Sequence, residues 1–388
     1  MTHPAPQPPK RRRLDHVDAM RPIKQAGVVS THVLDFFAPV STAQGAALLL
    51  LHVSREAFFF VSACMVTHAY MGLDRTGLGR FYWRRFVSVG IPYLAWTLIY
   101  YLYTFRTSHY ASPQQALMAI PFLLYYGYYH LYFLLVIMQF YLVFPLLLTG
   151  LRRTRRYHGL IIAVAALLQV LLAIAMHWQW FPSGLRALSA QREAPTYVLY
   201  LIGGAVTAFH LDRVDAWLRR NVWLVVGLTA LAAMFAETVY YLGQYGVTTA
   251  LGSTDDPFQP SVIPFNIGAI ACLYLVGIAL VRSGRTPKIV RMGSDNSYGV
   301  YLSHVLFVLL LVWVGWGRLD AVIPWPLLCL ITAAMIYLAS FALTSLLART
   351  PLAVPLTGRK RVRMSWPVRV PVLASRLPGP PPAPATND

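Results

Sequence analysis

Ten apolar stretches, separated by short polar connections, constrain the fold of this chain more than any other feature of its sequence. They cover residues 22–40, 44–72, 86–106, 130–150, 158–177, 195–211, 222–243, 260–282, 295–316 and 324–348. A helix needs about 20 mostly apolar residues to cross the hydrocarbon core of a bilayer. In lipid, a helix satisfies all of its own backbone hydrogen bonds. The sequence therefore predicts an all-α protein, a polytopic bundle of about ten transmembrane helices.

The composition agrees with a membrane protein and argues against a nucleic-acid-binding one. Only 12% of the 388 residues are charged, about half of what a soluble domain carries. The net charge of +19 is divided into short clusters between apolar stretches, so it forms no single basic patch for nucleic acid. Cys64, Cys272 and Cys329 lie inside apolar stretches without metal-ligand spacing, and no metal site is expected.

The positions of the basic residues predict the topology. One set of connections is rich in arginine and lysine, whereas the opposite set is poor in them. The rich set holds Arg75, Arg80, Arg84, Arg85, Arg152, Arg153, Arg155, Arg156, Arg213, Arg219, Arg220, Arg282, Arg285, Lys288 and Arg291. The poor set holds Arg106, Arg186, Arg192 and Arg318. Because basic connections face the cytoplasm, both termini are predicted to be cytoplasmic, in the plasma (inner) membrane.

The same charges and turns divide the chain. Residues 1–20 are predicted to be a basic, Pro-rich cytoplasmic tail, and residues 21–348 a transmembrane domain. Residues 349–388 are basic and then Pro-rich, which predicts a disordered cytoplasmic tail. The Tyr-rich stretch 112–129 is short, and we predict an interfacial or re-entrant segment there.

The first apolar stretch carries ionisable residues that a plain anchor would lack. His32 follows Arg21 by eleven residues, about three helical turns and about 16 Å, so both lie on nearly one helix face and His32 falls near mid-membrane. Lys24 and Asp35 lie on or near that face. Ionisable groups inside a membrane usually face a wet cavity or the bundle interior. Two interpretations stay open: a structural histidine bonded to a neighbouring helix, and a functional one.

Further polar residues are open to both structural and functional interpretation. Glu56 follows Arg55 directly, so it either neutralises that neighbour or faces a cavity. Arg84 and Arg85 either bind phosphate or set the topology. Glu237 is a carboxylate inside an apolar stretch, which is rare.

Two histidines near other apolar stretches raise the same choice. His130 begins the fourth stretch and is either an interfacial residue or a ligand contact. Ser297, Tyr301 and His304 are spaced by four and three residues, so they share one helix face. That face is either helix-packing contact or the wall of a site. The motifs of nucleotide hydrolysis, zinc proteolysis and the serine nucleophile elbow are absent from the sequence.

Four motifs, in order, resemble the integral-membrane acyltransferase 3 family over about residues 20–348, in a branch near the polysaccharide intercellular adhesin O-acyltransferases. They are R-x10-H (21–32), F-Y-x-R-R (81–85) with I-P-Y-L-x-W (91–96), H-L-Y-F-x-x-V-x-x-Q-F-Y-x-x-F-P (130–145) and S-Y-G-V-Y-L-x-H (297–304). The resemblance implies transfer of an acyl group, mostly acetyl, from cytoplasmic acyl-CoA to hydroxyls of extracytoplasmic carbohydrate or a glycoconjugate. Acyl-CoA would be a cosubstrate, with no permanently bound cofactor. Ser88 stands where the family often has another basic residue.

The resemblance and the chemistry of O-acyl transfer together assign roles. Arg21 and His32 match the family's essential pair, and a neutral histidine suits a general base near pH 7. Asp35 is expected to hold the second ring nitrogen of His32. The predicted site is catalytic His32, Arg21, Asp35 and Glu56; donor-binding Arg84, Arg85 and Lys24; and substrate-binding Tyr298, Tyr301, His304 and His130, with Tyr298 and Tyr301 as candidate oxyanion donors. A transporter or flippase of a saccharide or acylated metabolite, and a membrane scaffold, are the alternatives.

Overall fold

All regular structure in the described part of the chain is helical, which confirms the predicted all-α bundle. The structure is a computed structural model that describes residues 14–107, 112–180, 192–247, 249, 251–252, 256–281 and 286–361. The helices are α1 (Asp15–Phe37), α2 (Thr42–Leu51), α3 (Val53–Tyr70), α4 (Leu78–Thr107), α5 (Pro113–Tyr126), α6 (Tyr132–Arg153), α7 (His158–His177), α8 (Val198–Thr207), α9 (Leu211–Arg220), α10 (Val222–Gln244), α11 (Val262–Leu280), α12 (Lys288–Trp313), α13 (Trp325–Leu347) and α14 (Ala353–Thr357).

The number of helices that can cross a membrane is eight in the described ranges, or nine if the bent pair α8 and α9 is one span. The two helices of that pair meet at 102°. The charged α1 is outside this count, because it carries Arg21, Lys24 and three aspartates. Each of the ten predicted stretches nevertheless coincides with a helix or a helix pair. The protein is therefore a multi-pass membrane protein, and the cytoplasmic placement of its termini stays a prediction.

α1 is the central helix of the bundle. It packs against α3, α11, α12 and α13, and its buried face includes Val17, Met20 and Val33. Close approach depends on glycine at Gly277 of α11, where a β-carbon would lie 2.2 Å from the backbone oxygen of His16. Small residues let membrane helices approach closely, and here they bring α1 into contact with several neighbours at once.

The predicted interfacial segment 112–129 contains α5, which is a helix of 14 residues. That length is about 21 Å, too short to cross a bilayer alone. A break after Gly127 (φ 74°) separates α5 from α6, and Pro113–Arg153 together make one candidate span of 41 residues. An interfacial or re-entrant position for α5 stays a prediction. The break matters because it buries His130 and brings Tyr129, which is 41% exposed, against α1.

Both predicted tails contribute ordered residues to the bundle. α1 already begins at Asp15, so the end of the predicted N-terminal tail is helical. The chain from 349 to 361 is not an extended tail, because α14 packs against α4 and the indole of Trp96 donates a hydrogen bond to the carbonyl of Leu356 (3.0 Å). Residues 362–388, the rest of the predicted disordered tail, lie outside the described residues.

Candidate active site

His32 faces a cavity of about 310 Å³ that also contains Asp35, and we call it the histidine cavity. Helices α1 and α3 and the junction between α5 and α6 form its walls. Its lining residues are Val28, Thr31, His32, Asp35, His52, Ser54, Arg55, Tyr129, His130, Tyr132, Phe133, Arg192 and Pro257. The predicted functional reading of His32 therefore has the cavity that it requires.

A tyrosine connects His32 to Asp35. Nδ1 of His32 lies 3.2 Å from the hydroxyl of Tyr129, and that hydroxyl donates to Oδ2 of Asp35 at 2.5 Å. We expected Asp35 to contact the ring directly, and the structure corrects this: the phenol of Tyr129 stands between the two side chains. No local pattern predicts this contact, because Tyr129 lies 97 residues from His32.

This order of donors fixes the tautomer of His32. A carboxylate only accepts hydrogen bonds, so the single hydroxyl proton of Tyr129 points at Asp35. The oxygen of Tyr129 is then the acceptor for His32, and Nδ1 of His32 must carry a proton. In the neutral ring, Nε2 is left with a lone pair. An imidazole held in this way is prepared to remove a proton from a bound hydroxyl.

The backbone at Tyr129 is strained. Its φ of 33° is in the left-handed region, which residues with a β-carbon rarely adopt. Such strain costs about 1–3 kcal/mol and is most often found at functional sites. Gly127 makes the turn before it, and a β-carbon there would lie 2.7 Å from the backbone nitrogen of Tyr132. The turn thus holds the phenol against α1, where it contacts His32 and Asp35.

Three histidines from three parts of the chain meet next to the cavity. The rings of His32 and His304 are stacked with centroids 5.1 Å apart, and His130 lies 5.0 Å from His304 and 6.2 Å from His32. His130 and His304 are both fully buried. Both ring nitrogens of His130 and Nε2 of His304 lack a hydrogen-bond partner among the described residues. Buried polar atoms of this kind normally have partners, so these nitrogens are an exception within the described residues.

Tyr301 supports this cluster. Its hydroxyl donates to the backbone carbonyl of His130 at 2.6 Å, and its ring is 1% exposed. Because a tyrosine has one hydroxyl proton, this hydrogen bond leaves none for an oxyanion. In this arrangement Tyr301 positions His130. Tyr298 lines a different cavity, and its hydroxyl has no partner within the described ranges.

A second cavity, of about 410 Å³, lies nearer the N-terminus of α1 and is lined by several basic side chains. We call it the basic cavity and define it by Arg21, Lys24, Arg85 and Arg359. The remaining polar lining consists of Ser62, Ser88, Tyr141, Asp295, Ser297 and Tyr298. Four cations face one carboxylate, and guanidinium groups bind phosphate in a two-pronged manner.

The lining of the basic cavity includes only one member of each of two residue pairs to which the sequence analysis gave a shared role. Arg85 lines it and stacks on Tyr70 at 4.8 Å, whereas Arg84 is exposed and does not line it. Arg21 belongs to this cavity as well, so the predicted catalytic pair of Arg21 and His32 is divided between two cavities. Lys24, predicted to bind the donor, does line the basic cavity.

Aromatic rings separate the two cavities. Phe58 lines the basic cavity and Phe133 the histidine cavity, and their ring centroids are 5.7 Å apart. The ammonium group of Lys24 lies 4.2 Å from the centroid of the Phe58 ring. Gln25 is wholly buried near this level of α1, seven residues before His32, and neither atom of its amide has a partner in the described structure. Sequence reasoning missed Gln25, although a polar residue two turns from His32 was a usable signal.

Glu56 is paired rather than open to the cavity. Oε1 of Glu56 accepts from Nε and Nη2 of Arg55 at 2.9 and 2.5 Å, and the guanidinium lies 3.9 Å from the Phe258 ring. Arg55 lines the histidine cavity and Glu56 does not. A catalytic role for Glu56 stays a prediction, while its contact is that of a buried counter-ion. Glu237 lies on α10 and lines neither cavity.

Comparison with known proteins gives a family and no individual relative. The family model described as an acyltransferase domain matches residues 15–344, from the start of α1 to near the end of α13. No curated protein and no solved structure matches the chain. The matched range contains the histidine cavity and all of the basic cavity except Gly358 and Arg359.

Proposed function

This chain belongs to the acyltransferase domain family, and on that premise we propose that it moves an acyl group, in the simplest case acetyl, from cytoplasmic acyl-CoA to a hydroxyl of an extracytoplasmic carbohydrate or glycoconjugate. It is a membrane acyltransferase, and the proposal adds the donor, the acceptor, the catalytic base and the plasma (inner) membrane as its location. The proposal also includes the branch near the polysaccharide intercellular adhesin O-acyltransferases.

The hydrogen-bonded chain from His32 through Tyr129 to Asp35 is the observation that carries the proposal, because it leaves a lone pair on Nε2 of the neutral His32 ring. The acceptor hydroxyl attacks the carbonyl carbon of the thioester, and Nε2 takes its proton as the carbon–oxygen bond forms. The carbon–sulfur bond then breaks, and His32 returns the proton to the leaving thiolate of CoA. A positioned base of this kind contributes about 10²–10⁴-fold to a rate.

Tyr129 and Asp35 support the charged form of the base. When His32 gains the second proton, its positive charge is one phenol away from the carboxylate of Asp35. A carboxylate that orients an imidazole stabilises the imidazolium without taking its proton. In this proposal Asp35 is a positioning residue that acts through Tyr129.

The donor enters from the basic cavity. CoA carries several phosphate charges that cannot enter hydrocarbon, and Arg21, Lys24 and Arg85 offer cations to them. Along α1, His32 is about 16 Å beyond Arg21, so the thin pantetheine arm has to reach inward from the phosphates. Since Phe58 lines one cavity and Phe133 the other, the arm has to pass beside these two rings.

The acceptor enters the histidine cavity. Its volume of about 310 Å³ is at the small end of ligand sites, which suits one sugar unit better than a folded polymer. Asp35, Arg55 and His130 line this cavity beside His32 and would hydrogen-bond to neighbouring sugar hydroxyls, whereas His304 stacks on His32 outside the lining. Hydrogen bonds of this kind favour a hydroxylated acceptor over an apolar one.

Labelled acetyl-CoA given to vesicles that contain the full chain tests the proposal. Extracts of surface carbohydrate from cells lacking the protein serve as acceptor, and mass spectrometry locates the label. We expect ester-linked label on sugar with the natural chain and none with His32→Ala. Movement of carbohydrate across the vesicle membrane without ester formation would contradict transfer and favour a transporter.

A further inference from the structure

The segment from Ala353 to Arg361, which we call the C-terminal segment, forms part of the wall of the basic cavity. Ala353 and Thr357 are buried, and the hydrogen bond from Trp96 to Leu356 ties the segment to α4. After α14, Gly358 turns the chain with a φ of 66°.

The fit at Gly358 is tight. A β-carbon there would lie 2.4 Å from the ring of Tyr298 and 2.9 Å from the backbone oxygen of Ser88. Only glycine allows this approach together with a positive φ. The contact presses the segment onto two residues that themselves line the cavity, and it directs the next residue, Arg359, toward the other cations.

Arg359 has partners that a phosphate can replace. Its guanidinium donates to Oδ1 of Asn296 at 3.3 Å and lies 3.7 Å from Oδ2 of Asp295. The side chains of Arg359 and Asp295 are 31% and 34% exposed, so their ion pair is weak. A guanidinium has five N–H donors, and a phosphate engages two of them in parallel at close distance.

We propose that Arg359 binds the 3′-phosphate of the acyl-CoA donor, which makes the C-terminal segment part of the donor site. The inference rests on the proposed function, because it takes acyl-CoA as the ligand. The thioester end must go deepest, past the buried Lys24 and toward His32. Arg359 is at the more exposed part of the cavity, so it meets the opposite end of the donor, which is the phosphorylated ribose.

The test measures binding of acetyl-CoA and of acetyl-dephospho-CoA, which lacks the 3′-phosphate, to the full chain in phosphatidylcholine nanodiscs. For Arg359→Ala we expect binding of acetyl-CoA to weaken about tenfold or more, since charge-assisted contacts to phosphate are strong. Binding of the dephospho form should stay within about twofold of the natural chain. Arg361→Ala is the matched control, because Arg361 is exposed, donates to the carbonyl of Arg349 and does not line the cavity.

A second variant tests the same idea in the opposite direction and leaves the side chain of Arg359 in place. Asp295→Asn removes the carboxylate that competes with phosphate for Arg359, so binding of acetyl-CoA should tighten by about twofold to fivefold. Weaker binding of acetyl-CoA in this variant would overturn the proposal.

The remaining outcomes separate this inference from the proposed function. Equal weakening of both ligands by Arg359→Ala, or no weakening, overturns the assignment of the 3′-phosphate. Repeating the measurement with phosphatidylglycerol distinguishes a lipid phosphate: an effect of Arg359→Ala on lipid dependence alone overturns the proposal. Arg359-dependent binding of acetyl-CoA without any acyl transfer supports the inference and contradicts the proposed function. Acyl transfer by the natural chain, together with unchanged acetyl-CoA binding in Arg359→Ala, supports the proposed function and contradicts the inference. If acetyl-CoA does not bind the natural chain, both are overturned.

Discussion

Two regions of this protein contain the same three side chains in the same order. In the first, His32 contacts the hydroxyl of Tyr129, which donates to Asp35. In the second, Nε2 of His16 lies 2.9 Å from the hydroxyl of Tyr274, which donates to Oδ1 of Asp215 at 2.6 Å. Histidine, tyrosine and aspartate are thus linked alike at both places, yet we assign chemistry only to the first.

The surroundings make the difference. His32 is held through Nδ1, which leaves the outer nitrogen Nε2 for a ligand, and it faces the histidine cavity. His16 is held through Nε2, which leaves the nitrogen nearer its own backbone, and it lines neither cavity. His16 also lies 3.7 Å from Asp215 itself. The comparison teaches that such a hydrogen-bonded chain sets a tautomer, whereas the cavity decides whether the tautomer has a substrate.

The largest expected difference is between the acyl transfer rates of variants at His32 and His16. His32→Ala should lower acyl transfer by about 10³-fold or more, because it removes the general base. His16→Ala should leave the transfer rate within about threefold, since it removes a packing contact between α1 and α11. The measurement is label transfer from acetyl-CoA to sugar, normalised to folded protein. Similar losses in both variants would show that the two regions do not differ as we infer.

The two tyrosines give the next largest effect. Tyr129→Phe should reduce kcat about 10–100-fold and leave KM for acyl-CoA unchanged, because it removes the partner that orients the imidazole and touches no donor group. Tyr274→Phe should leave kcat unchanged and cost about 1–3 kcal/mol of stability, because it removes the hydrogen bonds to His16 and Asp215. Steady-state kinetics and thermal unfolding separate these results. A raised KM with normal kcat in Tyr129→Phe would place Tyr129 in substrate binding instead.

Adjacent arginines extend the comparison to the other cavity. Arg85→Ala should raise KM for acyl-CoA about tenfold, because Arg85 lines the basic cavity. Arg84→Ala should change it less than about twofold, because Arg84 is exposed outside that cavity, where a phosphate contact gains little. Membrane insertion of both variants is checked by protein level and by tag accessibility. Equal effects on KM would show that Arg84 and Arg85 share one role, either setting the membrane topology or binding the acyl-CoA donor.

The smallest expected effect concerns Gln25, which is buried on α1 next to Lys24 in the sequence. Gln25→Leu should leave the unfolding temperature unchanged or raise it, because the variant removes a buried amide without partners. Transfer should fall less than about tenfold, because Gln25 lines neither cavity. The measurement is thermal unfolding beside the transfer assay. A marked loss of stability would show that Gln25 has a structural partner.

The sequence by itself determined the helices and the spacing of the charges on the central helix. A run of about 20 apolar residues must form a helix in lipid whatever its neighbours are, and so each predicted stretch coincides with a helix or a helix pair. The eleven-residue spacing of Arg21 and His32 also follows from helix geometry alone, which placed the two residues on one face at different levels.

Only the tertiary structure decided which side chains meet. Tyr129 reaches Asp35 because a backbone break with a positive φ brings it against α1, and helix periodicity does not predict such a break. His130 and His304 join His32 because three separate elements pack together, and Arg359 reaches the basic cavity because Gly358 permits close contact with Tyr298. Local patterns fix the course of each helix, whereas contacts between residues far apart in sequence depend on packing that no single stretch contains.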